Sequence, residues 1–139
     1  MTNRFKREKG KKYGNTKVEY NGLKFDSKKE KDRYIVLKDA EKKGIITNLK
    51  TQVKFELIPA VKEEYIEHLK TKDKVKTRTL QLPITYTCDF MYVKDGVEVI
   101  EDVKASPKML PKEFILKEKM MFALKGIKIK KVYKTTEMI

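Results

Sequence analysis

The sequence predicts an α/β (α+β) domain in which a mixed central sheet is flanked by helices. Two stretches, at about 27–43 and 112–125, carry helix start and stop signals. Strand-like stretches lie between and after them, and two of these flank Asp95-Gly96 as a hairpin. The predicted order is a short β-hairpin followed by α-β-β-β-α-β.

The length and charge of the chain indicate one domain with a polyanionic partner. The 139 residues suffice for a single buried core. We expect a flexible basic arm at 1–17 and a single domain at 18–139 with a charged excursion at about 60–82. The chain has 34 Lys and Arg against 20 Asp and Glu, a net charge of +14. Such a charge favours nucleic acid as the partner.

Several classes of protein are excluded by composition. A single cysteine, Cys88, excludes a disulfide framework and a cysteine-based zinc site, and a single histidine, His68, excludes multi-histidine metal chemistry within one chain. We expect Cys88 to be a buried structural thiol and His68 a surface side chain. The chain has neither a long apolar run nor a signal peptide, so we expect a cytoplasmic protein with no membrane partner.

The first elements are a hairpin and a helix. Residues 18–25 read as a short hairpin with Asn21-Gly22 as its turn. Ser27 fits the helix N-cap, and Glu30 three residues later completes a capping box. Gly44 fits the position just after the helix, which we place at about 27–43.

The central part of the chain predicts strands around a charged segment. Residues 52–58 alternate as a half-buried strand. Residues 60–82 are highly charged, and we expect part of them to be helical, around Glu63–Leu69. Residues 83–93 carry the strongest strand signal, and residues 97–105 form the returning strand.

The last elements are a helix and a strand. Pro111 suits the first position of a helix that we place at 112–125. Its apolar side is expected to carry Phe114, Ile115, Met121, Phe122 and Leu124. Gly126 ends the helix, and residues 127–133 predict a final strand.

The hairpin turn sets a register that brings two aspartates together. If Asp95-Gly96 is the loop, paired residue numbers sum to 191, which places Asp89 opposite Asp102. Strand alternation then puts Thr87, Asp89 and Met91 on one face with Lys104, Asp102 and Ile100, and turns Cys88 to the other face. Directly opposed Cβ atoms lie about 4.5–5.5 Å apart, so the two carboxylates would repel. A divalent cation removes that conflict, and carboxylate oxygens suit Mg²⁺ or Mn²⁺.

Two further residues belong to this candidate site, each with a plainer alternative. Lys104 lies two residues after Asp102 on the same face and would stabilise charge on a phosphate, or form an ordinary ion pair. Glu30 is explained by the capping box, but it also lies on the helix stripe that faces the sheet. A carboxylate there needs a partner, so Glu30 is either a cap or a ligand.

The combination of Glu30, Asp89 and Asp102-Val103-Lys104 resembles the PD-(D/E)XK nuclease core, a restriction-endonuclease-like fold with the order α-β-β-β-α-β. Within that group the chain is similar to phage-type Holliday junction resolvases and endonuclease-I-like proteins. The resemblance lies in residues 24–45 and in the hairpin of residues 86–105. Cys88 stands where the motif usually has proline, and Asp102 stands where many members have Glu.

The resemblance implies a metal-dependent DNA endonuclease that leaves 5′-phosphate ends. Asp89, Asp102 and Glu30 would bind Mg²⁺ or Mn²⁺, and Lys104 would activate the attacking water. We expect branched DNA as the substrate, a homodimer by analogy, no small-molecule cofactor, and a bacterial or phage-infected bacterial cell as the setting.

DNA contacts are expected from basic residues in two regions. These are Lys6, Arg7, Lys11 and Lys12 in the arm, and Lys108, Lys112, Lys117 and Lys119 at the second helix. Three other functions stay open: a related nuclease acting on linear or nicked DNA, a non-catalytic DNA-binding module of the same fold, and an RNA-binding or ribosome-associated protein. The last fits the charge but not the acidic hairpin.

Overall fold

The computed structural model of the chain describes residues 16–139. The expected DNA contacts Lys6, Arg7, Lys11 and Lys12 lie outside the described residues. The two helices are α1 (Lys28–Lys42) and α2 (Lys112–Lys125). The eight strands are β1 (Val18–Tyr20), β2 (Leu23–Phe25), β3 (Thr47–Ile58), β4 (Val61–His68), β5 (Asp73–Gln81), β6 (Ile84–Lys94), β7 (Val97–Val103) and β8 (Lys130–Val132).

The architecture is mixed α+β, with a four-stranded sheet in the order β3-β6-β7-β8. The strands β3, β6 and β7 pair antiparallel, whereas β7 and β8 pair parallel. The pairs β1-β2 and β4-β5 form two separate two-stranded sheets. The predicted mixed sheet with two helices is therefore confirmed.

The two helices cover opposite faces of the four-stranded sheet. One apolar cluster joins Tyr34 and Leu37 of α1 to Phe90 and Val99 of the sheet. A second cluster joins Phe114 and Met121 of α2 to Ile100. Because Val99 and Ile100 are successive on β7, they lie on opposite faces, and the clusters form two layers of core.

The helix ends follow the predicted signals. Ser27 is the N-cap of α1, and its Oγ accepts a hydrogen bond from the Glu30 backbone N–H at 3.2 Å. The helix α2 spans the predicted residues and ends at Gly126, whose φ of 67° favours glycine. Pro111 is the N-cap of α2 rather than its first helical residue. Of the predicted apolar side of α2, Phe122 and Leu124 are exposed.

Residues 60–82 form an antiparallel ribbon of β4 and β5, so the expected helix around Glu63–Leu69 is wrong. In this segment the apolar and aromatic residues are interspersed with charged residues. This pattern favours pairing across two strands over a helix with one apolar face. The strand β3 begins five residues earlier than predicted, and β8 is shorter than the predicted 127–133. Of the helices within residues 16–139, none has the length and apolar character to cross a bilayer.

Candidate acidic site at the end of the hairpin

The hairpin of β6 and β7 has the predicted register. Lys94 pairs with Val97, Met91 with Ile100, and Phe90 with Glu101. Asp95 and Gly96 form the turn with φ angles of 51° and 75°. Such angles are those of a tight two-residue hairpin loop. The turn therefore sets the position of every residue as far as Phe90 and Glu101.

Beyond Phe90 and Glu101 the two strands no longer pair as a ladder. At this point the side chain of Asp89 replaces a backbone partner. The Asp89 carboxylate accepts a hydrogen bond from the Val103 backbone N–H, with 2.7 Å between Oδ2 and N. A side chain thus bonds to a backbone group that a continued ladder would use. This contact keeps Asp89 near Asp102, although the ladder pairs of β6 and β7 end before the predicted pair of Asp89 with Asp102.

Strand alternation fails at the same point. Tyr86 and Cys88 pack in the cluster under α2, whereas Phe90 packs in the cluster under α1, although all three share the same parity. Gln52, which lies opposite Asp89 on β3, has a φ of 53°. The alternation of β6 therefore reverses between Cys88 and Phe90, beside this left-handed residue of the partner strand. The expected position of Cys88, on the face away from Ile100, is therefore wrong.

As a result, Tyr86 reaches Asp102. The Tyr86 hydroxyl donates a hydrogen bond to Asp102 Oδ2 at 2.5 Å, and Asp102 is buried. Burial, followed by the negative charge of Asp102, raises the pKa of the tyrosine far above its ordinary value. Tyr86 was not predicted as a site residue because alternation assigned this face to Thr87.

Lys104 is the cation nearest to these carboxylates. Its Nζ lies 2.9 Å from Asp102 Oδ1 and 4.0 Å above the centre of the Phe114 ring. The Lys29 ammonium donates to the Lys104 backbone oxygen at 2.8 Å and so ties α1 to the end of β7. The predicted proximity of Lys104 to Asp102 is thus present, as an ion pair.

Glu30 is both near the helix cap and near the aspartates. Its backbone N–H serves the cap, but its Oε2 is buried and has no hydrogen-bond partner among the described residues. Its pKa rises to about 7, first because burial removes the carboxyl from water and then because Asp26 and Asp102 repel the charge. The Asp26 backbone and Lys104 offset part of this rise.

Asp89 is the most strongly perturbed carboxyl of the group. Its pKa rises to about 8, first through burial and then through repulsion by Asp102 and Glu30. The Val103 N–H and Lys104 offset part of this rise. We refer to Glu30, Asp89, Asp102 and Lys104 as the acidic site. The structure brings all four within electrostatic reach of one another.

The donor chemistry of the acidic site suits a hard divalent cation. Three carboxyl groups share one cationic side chain, and a buried carboxylate oxygen of Glu30 lacks a partner among the described residues. A cation bound by oxygen atoms would satisfy that oxygen and reduce the repulsion. Within residues 16–139, no three His, Cys, Asp or Glu side chains are already gathered closely enough to hold an ion.

A cavity of about 350 Å³ opens beside Asp102 and Lys104. It is lined by Thr85, Tyr86, Thr87, Asp102, Lys104, Pro111, Glu113, Phe114 and Lys117. Of the lysines expected to contact DNA, Lys117 lines this cavity and pairs with Glu113 at 2.8 Å. Lys108 and Lys112 are exposed outside it, and Lys119 lines a different cavity with Phe122.

A second charged group, on the other face of β7, was not predicted. Glu101 is buried and accepts two hydrogen bonds from Arg33, at 2.7 and 2.8 Å, and a third from the Tyr92 hydroxyl. Arg33 also donates to the backbone oxygens of Thr135 and Glu137, at 3.1 and 2.5 Å. The sequence signal for this pair was the position of Arg33 on α1, next to Tyr34 of the apolar stripe, since a charged side chain buried there requires a partner of opposite charge.

The single cysteine is buried and the single histidine is exposed, as expected. Cys88 is buried, and burial raises the pKa of its thiol to about 11. His68 is exposed on β4, with its Nδ1 2.8 Å from Asp73 Oδ1.

Comparison with known proteins identifies a family without assigning an activity. A family model described as "Protein of unknown function (DUF1064)" matches residues 10–138. No match was found among curated proteins or among solved structures.

Proposed function

The chain belongs to the DUF1064 family of proteins of unknown function, and we propose that it is a metal-dependent DNA endonuclease of the PD-(D/E)XK type. Its expected substrate is branched DNA, cut in the manner of phage-type Holliday junction resolvases. The observation that carries this proposal is the acidic site, in which three mutually repelling carboxyl groups stand beside one lysine at the edge of a cavity.

The cost of this arrangement favours a function over a structural role. Carboxyl groups that are buried close together reduce the stability of the folded state, because each disfavours ionisation of the others. The rest of the chain is strongly basic, so cationic partners for these acids were readily available. A divalent cation would bind the clustered carboxyl groups, and a phosphodiester would bind the basic surface around them.

The proposed roles follow from the contacts. Asp89, Asp102 and Glu30 would hold Mg²⁺ or Mn²⁺, which when bound polarises the phosphodiester and lowers the pKa of water. The Tyr86 hydroxyl fixes the orientation of the Asp102 carboxylate through their hydrogen bond. Lys104 places its ammonium 2.9 Å from that carboxylate, where it can also stabilise charge that develops on phosphoryl oxygens.

The proposed reaction is hydrolysis of a phosphodiester bond. A water oxygen forms a bond to phosphorus, and the bond from phosphorus to the 3′ oxygen breaks. The attacking water releases a proton to solvent and the leaving oxygen takes one up from solvent, so the products are a 5′-phosphate and a 3′-hydroxyl. Lys117, which also lines the cavity, would contact the phosphate backbone.

The homodimer belongs to the same proposal. A four-way junction has two-fold symmetry, and paired cuts across it require two sites related by that symmetry. Cleavage of linear or nicked DNA needs no such pairing, so the substrate and the oligomeric state are tested together.

The experiment is cleavage of a labelled four-way junction, compared with linear duplex, nicked duplex and single strand of the same sequence. Each substrate is incubated with Mg²⁺, Mn²⁺ or EDTA. We expect paired cuts in the junction with either metal and none with EDTA. Asp89→Asn and Asp102→Asn should each lower the cleavage rate by at least about 100-fold, since each removes a carboxylate from the acidic site.

Glu98→Gln is the matched control, because Glu98 is an exposed carboxylate on the same strand as Asp102. It should cleave at the wild-type rate. A second measurement is thermal unfolding with added Mn²⁺, which should raise the melting temperature of the wild type and of Glu98→Gln but not of Asp89→Asn. Equal metal-dependent cutting of all substrates would retain the nuclease and reject the resolvase. Tight DNA binding without cutting or metal stabilisation would leave a non-catalytic binding module.

A further inference from the structure

The ribbon, residues 61–81, stands apart from the rest of the fold. It forms its own two-stranded sheet, and neither apolar cluster of the described residues contains any of its side chains. Isolated two-stranded ribbons are only marginally stable in water. The ribbon therefore adds little to the stability of the core, and its eight-residue and nine-residue strands need another explanation.

The two strands of the ribbon carry opposite charges. The acids Glu63, Glu64 and Glu67 lie on β4, and the bases Lys74, Lys76 and Arg78 lie on β5. Cross-strand ion pairs join Arg78 to Glu63, at 3.0 Å, and Lys76 to Glu67. The Arg78 guanidinium also lies 5.0 Å from the centre of the Tyr65 ring. The middle of the ribbon is thus neutralised by its own side chains.

The tip of the ribbon is basic and is not neutralised in this way. The Leu69 N–H donates to the Lys72 backbone oxygen at 3.0 Å and closes the turn between the strands. Lys70 and Lys72 in this turn are exposed, as is Lys74 next to it. Within residues 16–139, the ion pairs of the ribbon involve none of these three lysines. Asp73, between Lys72 and Lys74, lies 2.8 Å from His68 Nδ1, so three lysines stand against one carboxylate at this end of the ribbon.

The base of the ribbon adjoins the proposed catalytic cavity. The strand β6 begins at Ile84, three residues after β5, and its residues Thr85, Tyr86 and Thr87 line the cavity. Eight residues of strand extend about 26 Å at roughly 3.3 Å each. That length corresponds to roughly 7–8 base pairs of duplex DNA at about 3.4 Å each.

A second copy of the chain fits the ribbon less well than DNA does. Two-fold pairing through β4 edges would place its glutamates against one another, and pairing through β5 edges would oppose lysines and arginine. The exposed apolar residues of the ribbon are far fewer than the roughly 20–30 residues per side of a stable interface; they are Val61, Ile66, Leu69, Val75 and Leu80. DNA phosphates complement the basic tip, and a two-stranded ribbon fits the width of the major groove.

We propose that the ribbon is a DNA-binding arm whose tip lysines Lys70, Lys72 and Lys74 contact phosphates of the duplex that flanks the cleaved bond, roughly 7–8 base pairs away from it. This inference rests on the proposed function for the position of the cleaved bond. In this arrangement the ribbon binds several base pairs of duplex that lie beyond the acidic site.

The test is the salt dependence of DNA binding, measured by fluorescence anisotropy in EDTA so that no cleavage occurs. The ribbon variant Lys70→Ala/Lys72→Ala should reduce the slope of log K against log salt by about 2, since each lost phosphate contact removes about 0.9. The control Lys42→Ala/Lys43→Ala removes the same charge at the far end of α1, roughly 18 Å from Glu30 along the helix. It should keep the wild-type slope. Equal melting temperatures would show that both variants are folded.

A second comparison tests the reach of the arm. DNA with flanking duplex of about 20 base pairs should bind wild type more tightly than DNA with about 4 base pairs, and the ribbon variant should lose this difference. An unchanged slope in the ribbon variant overturns the inference, as does stronger binding of RNA than of DNA. Loss of a dimer with the slope retained would assign the ribbon to a second copy instead. If the ribbon variant lowers the slope but wild type never cuts DNA, the arm stands and the nuclease fails.

Discussion

Glu101 and Asp102 are adjacent on β7, and both are buried, yet their surroundings differ in charge balance. Glu101 lies on the α1 face, where Arg33 binds both of its carboxylate oxygens and Tyr92 donates a further hydrogen bond. Asp102 has Lys104 and Tyr86 as partners, but Asp89 and Glu30 also lie near it and repel its charge.

The difference separates a structural group from a candidate functional one. Glu101 is paired with Arg33, and the Lys130 ammonium lies 3.9 Å from its Oε2, so cations balance the one carboxylate on the α1 face. The acidic site sets three carboxyl groups against one ammonium, which costs stability unless a cation is bound. We infer that buried charge by itself does not indicate function, whereas buried charge without balance does.

The largest expected effect on stability is at the pair of Arg33 and Glu101. Arg33→Met leaves the Glu101 carboxylate buried without its cation and should lower the free energy of unfolding by about 3–5 kcal/mol. Urea denaturation followed by circular dichroism measures the change. The control Arg78→Met breaks an ion pair on the exposed ribbon and should change stability little. Equal losses in the two variants would remove the distinction between buried and exposed pairs.

The next effect concerns the hydrogen bond from Tyr86 to Asp102. Tyr86→Phe removes a donor to a charged acceptor and should cost roughly 1.5–3 kcal/mol of stability. It should also raise the concentration of Mn²⁺ required for half-maximal cleavage, because Asp102 loses its fixed orientation. Tyr65→Phe, on the ribbon, is the matched control. A variant that is less stable but has the wild-type metal requirement would make Tyr86 purely structural.

The pH dependence of stability tests the imbalance directly. Asp89 has a pKa of about 8 in the folded protein and about 4 when unfolded, so the folded state binds the extra proton between these values. Stability contributed by protonated Asp89 is therefore present below about pH 4 and is lost as the pH rises through 8. The slope approaches about 1.4 kcal/mol per pH unit. Denaturation in metal-free buffer from pH 5 to 8 should show this decline in wild type and a weaker one in Asp89→Asn. Identical profiles would place Asp89 in an ordinary environment.

The smallest effect separates the two roles of the first turn of α1. Ser27→Ala removes the hydrogen bond from the Glu30 N–H and should cost about 1 kcal/mol. Glu30→Gln keeps that backbone contact while removing the repelling charge, so it should retain or increase stability at pH 8. Thermal unfolding of both variants measures the contrast. A loss of stability in Glu30→Gln at pH 8 would assign Glu30 to the cap alone.

Local signals were enough to predict much of the fold. Both helices and the register of the hairpin follow from caps, glycines and the Asp95-Gly96 turn, which act over a few residues. The ribbon was predicted partly as helix because its strands are specified by cross-strand charge pairs such as Glu63 with Arg78, and these depend on the partner strand. The early start of β3 was missed because its polar first half pairs with β6 rather than showing its own alternation.

The candidate site was predicted less completely. Register arithmetic placed Asp89 beside Asp102, and the helix stripe placed Glu30 toward the sheet. Tyr86 was missed because the alternation of β6 reverses between Cys88 and Phe90, and the residues of that stretch give no signal of a reversal. The pairing of Arg33 with Glu101 joins residues 68 positions apart, a separation that no local pattern specifies.

The carbonyl groups that bind Arg33 have a consequence for biosynthesis. Arg33 is separated by 102 and 104 positions from Thr135 and Glu137, which accept its remaining hydrogen bonds. At about 5–20 residues per second, a ribosome needs roughly 5–20 s to add that stretch. The contacts of the Arg33 guanidinium are therefore complete only after Thr135 and Glu137 have been synthesised. The α1 side of the sheet reaches its final form long after its own helix has left the ribosome's catalytic centre.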